Sequence, residues 1–430
     1  MHNPGSPWVN NGSTAGARMR IVIIGSGIIG LTTAHALLDQ GHEVILVDKG
    51  KPAAATSRGN AGWIAHTDIL PLASPNVIWR MARWLLDPLG PLTIRPSYLP
   101  RLAPWLLRFV LASRPLEVER SSQAIIPLQA LALPAWERLL GKLGLEAELN
   151  RRGVLYAFDA IEPFEAAMGV YRRQQELGIP LELIDGSAIR ALEPALSERL
   201  VRAVYYPTVV HVDDPYELGQ KLAAAVRQRG GRIQQARVIG VPLAQGDEKP
   251  IIVLDGGTTL AADMAVIAAG VWSKPLAASL GDVVPLDAER GYNATMADPG
   301  VSLTRPVLFE GHGVIVSPLK VGLRIGGAVE LASADAKPNW KRLRALLAKA
   351  RLFVPTLKDG GCSYWMGCRP SLPDSLPVIS RSRASPNVVY AFGHGHHGLT
   401  QAAATAELVA SLVARRAPAI DLRPYSVERF

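Results

Sequence analysis

The sequence predicts an α/β protein of two domains, the first of them built on a parallel sheet wound by helices, and three observations carry that reading. The chain has 430 residues, more than one hydrophobic core usually organises. From Met19 the apolar run Arg20-Ile21-Val22-Ile23-Ile24 leads directly into Gly25-Ser26-Gly27-Ile28-Ile29-Gly30, and Leu31 to Gln40 continues with helical spacing. Val44-Ile45-Leu46-Val47 then ends in Asp48, so strand, helix and second strand follow one another as in a parallel βαβ unit.

Each element has a physical reason. A continuous β-branched run suits a strand buried on both faces, and Gly41 stands where a helix end needs a residue tolerant of positive φ. Gly25 serves the tight turn, Gly27 lets backbone approach a pyrophosphate, and Gly30 lets helix and strand pack closely. The helix start at Ile28 and Ile29 turns unpaired N–H groups and a partial positive charge toward phosphate. Asp48, with Lys49 beside it, is placed to accept from a ribose diol and disfavours a 2′-phosphate. Dinucleotide binding follows from this whole context, but the motif itself does not separate NAD from FAD.

Composition narrows the remaining classes. The formal charge of +9 attracts anionic cofactors, acidic lipid and nucleic acid alike. The basic residues are scattered and no zinc, helix-turn-helix or RNA-binding motif is readable, which argues against nucleic acid. Two cysteines, Cys362 and Cys368, supply neither a disulfide framework nor a structural zinc set and fit a reducing compartment. Met1 to Arg18 lacks the apolar stretch of a signal peptide and reads as a disordered leader. The most apolar region, Ile64 to Val110, is broken by Asp68, Arg80, Arg83, Asp87 and prolines, so no membrane crossing is expected.

Later segments separate the cofactors. Ala55-Thr56-Ser57-Arg58-Gly59-Asn60-Ala61-Gly62, Asp263 to Ser273, the block Gly367-Cys368-Arg369-Pro370 with Pro373-Asp374 and Pro377-Val378-Ile379, and the loop Gly393-His394-Gly395-His396-His397-Gly398-Leu399-Thr400 together resemble the D-amino acid oxidase-like flavoproteins, in particular bacterial D-amino acid dehydrogenases. The likeness runs from Met19 to about Ala414. It implies a Rossmann-type FAD-binding domain, residues 19–75, 181–271 and 364–430, and a discontinuous α+β substrate domain on a mixed or antiparallel sheet, residues 76–180 and 272–363. It also implies non-covalent FAD held by Ser57, Asn60, Ala61 and Gly62, by Val238 on a strand read over Arg232 to Val241, by Ala269, Gly270 and Trp272, and by Arg369, Gly395, His396, Gly398, Leu399 and Thr400. An NAD dehydrogenase has no use for this second glycine loop, which opens a helix where negative charge on a reduced flavin would be stabilised.

Smaller features have structural readings. Asp214, ahead of Pro215-Tyr216-Glu217, is an N-cap. His394, His396 and His397 sit too close together on one loop, with no acidic or thiolate partner nearby, to make a good metal site. Cys368 lies near the point where sarcosine oxidase relatives tether flavin, but its Arg-Pro setting is that of the non-covalent relatives, so it is expected to be a core residue.

The resemblance implies dehydrogenation of the Cα–N bond of a small D-amino or D-imino acid, by hydride transfer to flavin N5 and with no dedicated base. A quinone-like acceptor would take the electrons. Arg369 is the candidate grip on the substrate carboxylate, because a guanidinium offers a rigid two-donor fork that stays charged when desolvated; Tyr292 is a second candidate contact. The oxidases carry their carboxylate arginine where this chain has Ser317-Pro318-Leu319, and Arg324 is not at that place. With no acidic pocket residue identifiable, a neutral or cyclic substrate of the D-proline type is favoured. Two other readings stay open: a glycine or sarcosine oxidase reducing O2, and a non-catalytic membrane-associated flavoprotein. In residues 76–112, Trp79, Trp84, Leu85, Leu86, Leu99, Trp105, Leu106, Phe109 and Val110 alternate with Arg80, Arg83, Arg95, Arg101 and Arg108. That pattern suits a cytoplasmic protein docking on the inner face of an anionic membrane, and equally amphipathic helices that cover the substrate domain.

Overall fold

The computed structural model describes residues 17–75, 77, 81, 90, 92–243, 249–358 and 360–430. Most of the leader and, from the apolar-cationic segment, Trp79, Arg80, Arg83, Trp84, Leu85 and Leu86 lie outside the described residues.

The predicted βαβ unit is present as strand Arg20–Ile24, helix Ile28–Asp39 and strand Glu43–Asp48. These two strands are central in a six-stranded sheet, in the order Arg232–Gln235, Glu43–Asp48, Arg20–Ile24, Met264–Ile267, Val388–Phe392, Val378–Arg381. All neighbours are parallel except the last pair. Ile21 and Ile23 enter one apolar cluster, and Val22 and Ile24 the cluster on the opposite face. That two-sided burial is what the uninterrupted apolar run requires. Gly41 has φ +81° directly after the helix, as a left-handed helix end demands. The strand expected over Arg232 to Val241 breaks into Arg232–Gln235 and Val238–Gly240, and the second piece joins a separate three-stranded sheet.

The second domain is a mixed sheet of nine strands. Its main path runs Gly360–Ser371, Asp287–Asp298, Gly322–Leu331, Val314–Leu319, Val307–Phe309, Val154–Phe158, Arg202–Tyr206, Glu182–Asp185, with Leu92–Ile94 added along Gly322–Leu331. Two expected boundaries move. Glu182–Asp185 and Arg202–Tyr206 hydrogen-bond into this sheet, although 181–271 was assigned to the cofactor domain. Gly360–Ser371 is one unbroken strand paired with Asp287–Asp298, so a boundary at residue 363 cuts through it. Both errors share one cause: strand partners far apart in sequence leave no mark on local composition.

Helix Pro115–Leu143, expected within the substrate domain 76–180, instead packs with the last helix, Gly398–Val413, in the cofactor-domain core, and Trp136 Nε1 donates to the Leu399 carbonyl at 2.9 Å. Thr32 Oγ1 donates to the Ala402 carbonyl at 2.9 Å, pinning the first helix to the last. Asp214 is the N-cap of helix Pro215–Gln228, accepting from the N–H groups of Tyr216 and Glu217 at 2.7 and 2.9 Å. Helix Leu99–Ala112 buries Leu102, Trp105 and Phe109.

Candidate active site

One cavity of about 510 Å³ lies between the two domains. All the predicted cofactor contacts line it except Gly30 and Gly62. Gly30 serves packing instead: a Cβ there would stand 2.0 Å from the Gly25 carbonyl oxygen. Gly62 holds φ +87°, and a Cβ on it would meet the Val212 carbonyl oxygen at 3.0 Å.

At the first end the wall is mostly backbone. Gly25 has φ +113°, and any Cβ would lie 2.4 Å from the Ala268 carbonyl oxygen, so only glycine makes this turn. Ser57 Oγ accepts from the Ile28 N–H at 3.0 Å, which brings the Thr56–Gly59 turn onto the helix start. Asp48 is oriented by the glycine turn and by its own chain neighbours: Oδ2 accepts from the Ser26 N–H at 2.7 Å and hydroxyl at 3.1 Å, and Oδ1 from the Gly50 N–H at 2.9 Å. Lys49 Nζ stands 3.6 Å over the Trp272 ring, and burial lowers its pKa.

The middle of the cavity fits a long, flat ligand with polar edges. A Cβ on Gly270 or Gly395 would meet no atom within 4 Å, so backbone is open there to close approach. Asn293 donates from Nδ2 to the Gly59 carbonyl at 2.8 Å, while its buried Oδ1 has no partner among the described residues. Gly59 and Gly367 both leave room for the ring of Trp365, which a Cβ on either would strike. Cys368 does not line the cavity; its thiol contacts the Ala334 carbonyl at 3.7 Å, and burial raises its pKa. That placement fits a flavin held without a covalent link.

Three arginines line the cavity, Arg237, Arg324 and Arg369, and the last two stand in different electrostatic states. Arg369 lies on the wall with its guanidinium against Gly291, but its NH1 donates to Glu289 Oε1 at 2.9 Å. His396 Nε2 meets the same oxygen at 2.7 Å. Burial alone would push the Glu289 carboxyl up, yet His396 and Arg369 outweigh it and hold the pKa down to about 2. Arg369 therefore already has a counter-charge. Arg324 has none. It is 7 % exposed, its Nε donates to Thr295 Oγ1 at 3.1 Å, and its NH1 donates to the Arg58 and Asn60 carbonyls at 3.1 and 2.5 Å. Its remaining terminal nitrogen has no hydrogen bond to the described residues. Burial lowers its pKa to about 10, so it stays charged at neutral pH. Tyr292 also borders the cavity, but its hydroxyl is turned away from it, donating to Glu330 Oε2 at 2.5 Å and accepting from the Asn339 N–H at 3.0 Å.

The far wall was not visible in the sequence. It is one row across six strands of the large sheet, in which Tyr156 faces Leu308, Leu308 Ile315, Ile315 Gly326, Gly326 Asn293, and Asn293 Trp365; all six residues line the cavity. Trp63 and Asp68 also line it, next to Tyr156. Trp63 Nε1 donates to Ser317 Oγ at 2.9 Å, and Ser317 is the cross-strand partner of Arg324. Arg324 thus reaches the neighbourhood of the Ser317-Pro318-Leu319 segment from the adjacent strand. The three clustered histidines diverge: Nε2 of His394 meets Thr405 Oγ1 at 3.0 Å, His396 meets Glu289, and Nδ1 of His397 meets Gln129 Nε2 at 3.4 Å.

A dinucleotide turn, a second glycine loop and a sheet-walled cavity between them define a two-domain flavin-dependent oxidoreductase. The comparisons with known proteins agree. The family model described as FAD dependent oxidoreductase matches residues 20–412. A D-amino-acid oxidase of Bradyrhizobium diazoefficiens is 36% identical over 417 residues, covering 95% of this chain and 98% of the relative. A D-amino acid dehydrogenase of Cereibacter sphaeroides is 30% identical over 424 residues, covering 96% of this chain and 95% of the relative. Among solved structures, L-proline dehydrogenase from P. horikoshii has the same fold, with TM-score 0.74, 19% identity and coverage of 96% of this chain and 98% of that one. The chain belongs to the FAD dependent oxidoreductase family, and its cofactor is FAD.

Proposed function

We propose that this protein dehydrogenates the Cα–N bond of a D-amino acid, with the substrate carboxylate held by Arg324. The observation that carries the reading is a buried guanidinium on the cavity wall that forms no ion pair among the described residues. A buried charge left unpaired is costly, and an anionic substrate group removes that cost at the moment of binding. Bound FAD supplies the two-electron acceptor for the Cα–H hydride. Arg324 and the cavity walls orient the substrate, and the apolar surroundings of Trp63, Leu308 and Ile315 exclude water from it. Arg369, neutralised by Glu289 and tied to His396, is a positioning residue that holds the glycine loop against the substrate sheet. The D-amino-acid oxidase and D-amino acid dehydrogenase names of the relatives support the substrate class. Anaerobic titration of the yellow protein with D- and L-amino acids, proline and sarcosine tests the reading. Bleaching by D-amino acids is expected; bleaching by sarcosine or L-enantiomers alone would overturn it.

The acceptor is proposed to be a quinone reached by docking on an anionic membrane. Helix Leu99–Ala112 leaves Leu107 62% and Val110 45% exposed, and Arg101 and Arg108 are exposed beside them, while its other face is core. No helix among the described residues is long and apolar enough to cross a membrane, so the contact is peripheral. Flotation with acidic liposomes at low salt is the expected behaviour, and protein remaining at the bottom of the gradient would remove the proposal.

A further inference from the structure

We infer that Asp68 selects substrates that carry a cationic side chain, an ammonium or guanidinium at the end of the amino acid remote from its carboxylate. The inference rests on the D-amino acid reading above and names the substrate class within it. Asp68 lines the same cavity as Arg324. Its Oδ1 accepts from the Tyr156 hydroxyl at 2.8 Å, and its other oxygen has no partner among the described residues. No lysine or arginine pairs with it there. The neighbouring His397 does not supply the missing charge, since burial lowers its pKa. A carboxylate so placed is a half-made ion pair that opens onto the cavity.

Its surroundings suit a cation rather than a neutral donor. Trp63 and Tyr156 line the cavity beside it, with ring centroids 6.0 Å apart, and both are 8% exposed. Aromatic faces joined to a carboxylate form a site that stabilises ammonium and guanidinium groups. Separation decides which cation of the substrate is met. Tyr156 and Gly326 stand three strand spacings apart in one cross-strand row, about 14 Å at roughly 4.8 Å per strand, and Arg324 is on the Gly326 strand. Asp68 is bonded to Tyr156 at the start of this row and Arg324 lies on the strand three further along, so the pair suits groups set wider apart than the α-carboxylate and α-amine, which sit on one carbon. The α-carboxylate and the tip of a long side chain are such groups. The sequence alone favoured a neutral or cyclic substrate because no acid could be assigned to the pocket; the fold supplies one.

The test compares kcat/KM for D-lysine and D-arginine with that for D-alanine and D-proline, using FAD-loaded wild type, Asp68→Asn and Asp68→Glu. The basic substrates are expected to be preferred by wild type, and Asp68→Asn is expected to lower the ratio for D-lysine over D-alanine by about 10- to 100-fold, mostly through KM; Asp68→Glu restores part of it. A second probe needs no turnover: 6-aminohexanoate, which has both charged ends and no α-amine, should perturb the flavin spectrum of wild type more strongly than hexanoate does, and Asp68→Asn should abolish that difference. Oxidation of D-alanine with no preference for basic substrates, or an unchanged ratio in Asp68→Asn, overturns the inference and leaves the D-amino acid reading intact. Bleaching by no D-amino acid while 6-aminohexanoate still binds through Asp68 overturns the reaction and leaves the two-ended clamp.

Discussion

The two ends of the cavity are built on opposite principles. At the nucleotide end, contacts come mostly from backbone and short side chains around the first βαβ unit, and steric rules at single positions fix them: Gly25 admits no Cβ beneath the Ala268 carbonyl. At the substrate end, contacts are side chains drawn from separate strands, and what fixes them is charge balance. Among the described residues, Arg369 pairs with Glu289, Arg324 hydrogen-bonds only neutral acceptors, and the Asp68 carboxylate only a tyrosine hydroxyl. One end is shaped by backbone, whereas the other carries charges that the proposed substrate would balance.

Breaking the backbone-shaped end should have the largest effect. Gly25→Ala places a methyl 2.4 Å from a carbonyl oxygen in a left-handed backbone, and the expected outcome is protein without flavin, seen as loss of absorbance at about 450 nm after purification with added FAD. The two arginines should respond differently to the same substitution. Arg324→Ala is expected to lower kcat/KM for D-amino acids by about 100- to 1,000-fold, the loss of a charge-assisted two-donor contact in an apolar site. Arg369→Ala should cost about tenfold or less in kcat/KM but destabilise the fold by about 2–3 kcal/mol, because Glu289 stays buried with one partner fewer. Equal kinetic losses in the two variants would erase the distinction.

The smallest effect is the acid dependence of stability. Glu289 has a pKa depressed to about 2 in the folded protein. Its contribution is full above its ordinary value of 4.5 and is lost as pH falls toward 2. His394 is held neutral by burial, with its pKa lowered from 6.5 to about 3. The folded state binds fewer protons there, so stability is full above pH 6.5 and is lost as pH falls through about 3. Melting temperature should therefore decline already between pH 6 and 4, ahead of the Glu289 loss, and His394→Gln should flatten that early decline.

What was legible in the sequence follows the same division. The glycine turn, Asp48, Ser57 and the Gly395–Thr400 loop could be read because each motif is local and its residue types answer to backbone geometry. Arg324 does not follow the Ser317-Pro318-Leu319 segment in the chain; antiparallel pairing brings it opposite Ser317 from the next strand, which linear spacing does not reveal. Asp68 was visible only as a charge interrupting an apolar stretch after the Asn60–Gly62 loop. That interruption is the one signal that could have marked it as a cavity residue. The row from Tyr156 to Trp365 had no local signal, since alternation along a strand gives a face but not the partners that complete it.

The most direct test of charge complementarity at the substrate end is a crystal structure of the FAD-bound enzyme with the 2-oxo acid product. The account predicts the product carboxylate on the free guanidinium nitrogen of Arg324, within about 3 Å, with the Arg369–Glu289 pair intact. A carboxylate seated on Arg369, with Glu289 displaced and Arg324 unchanged, would contradict it.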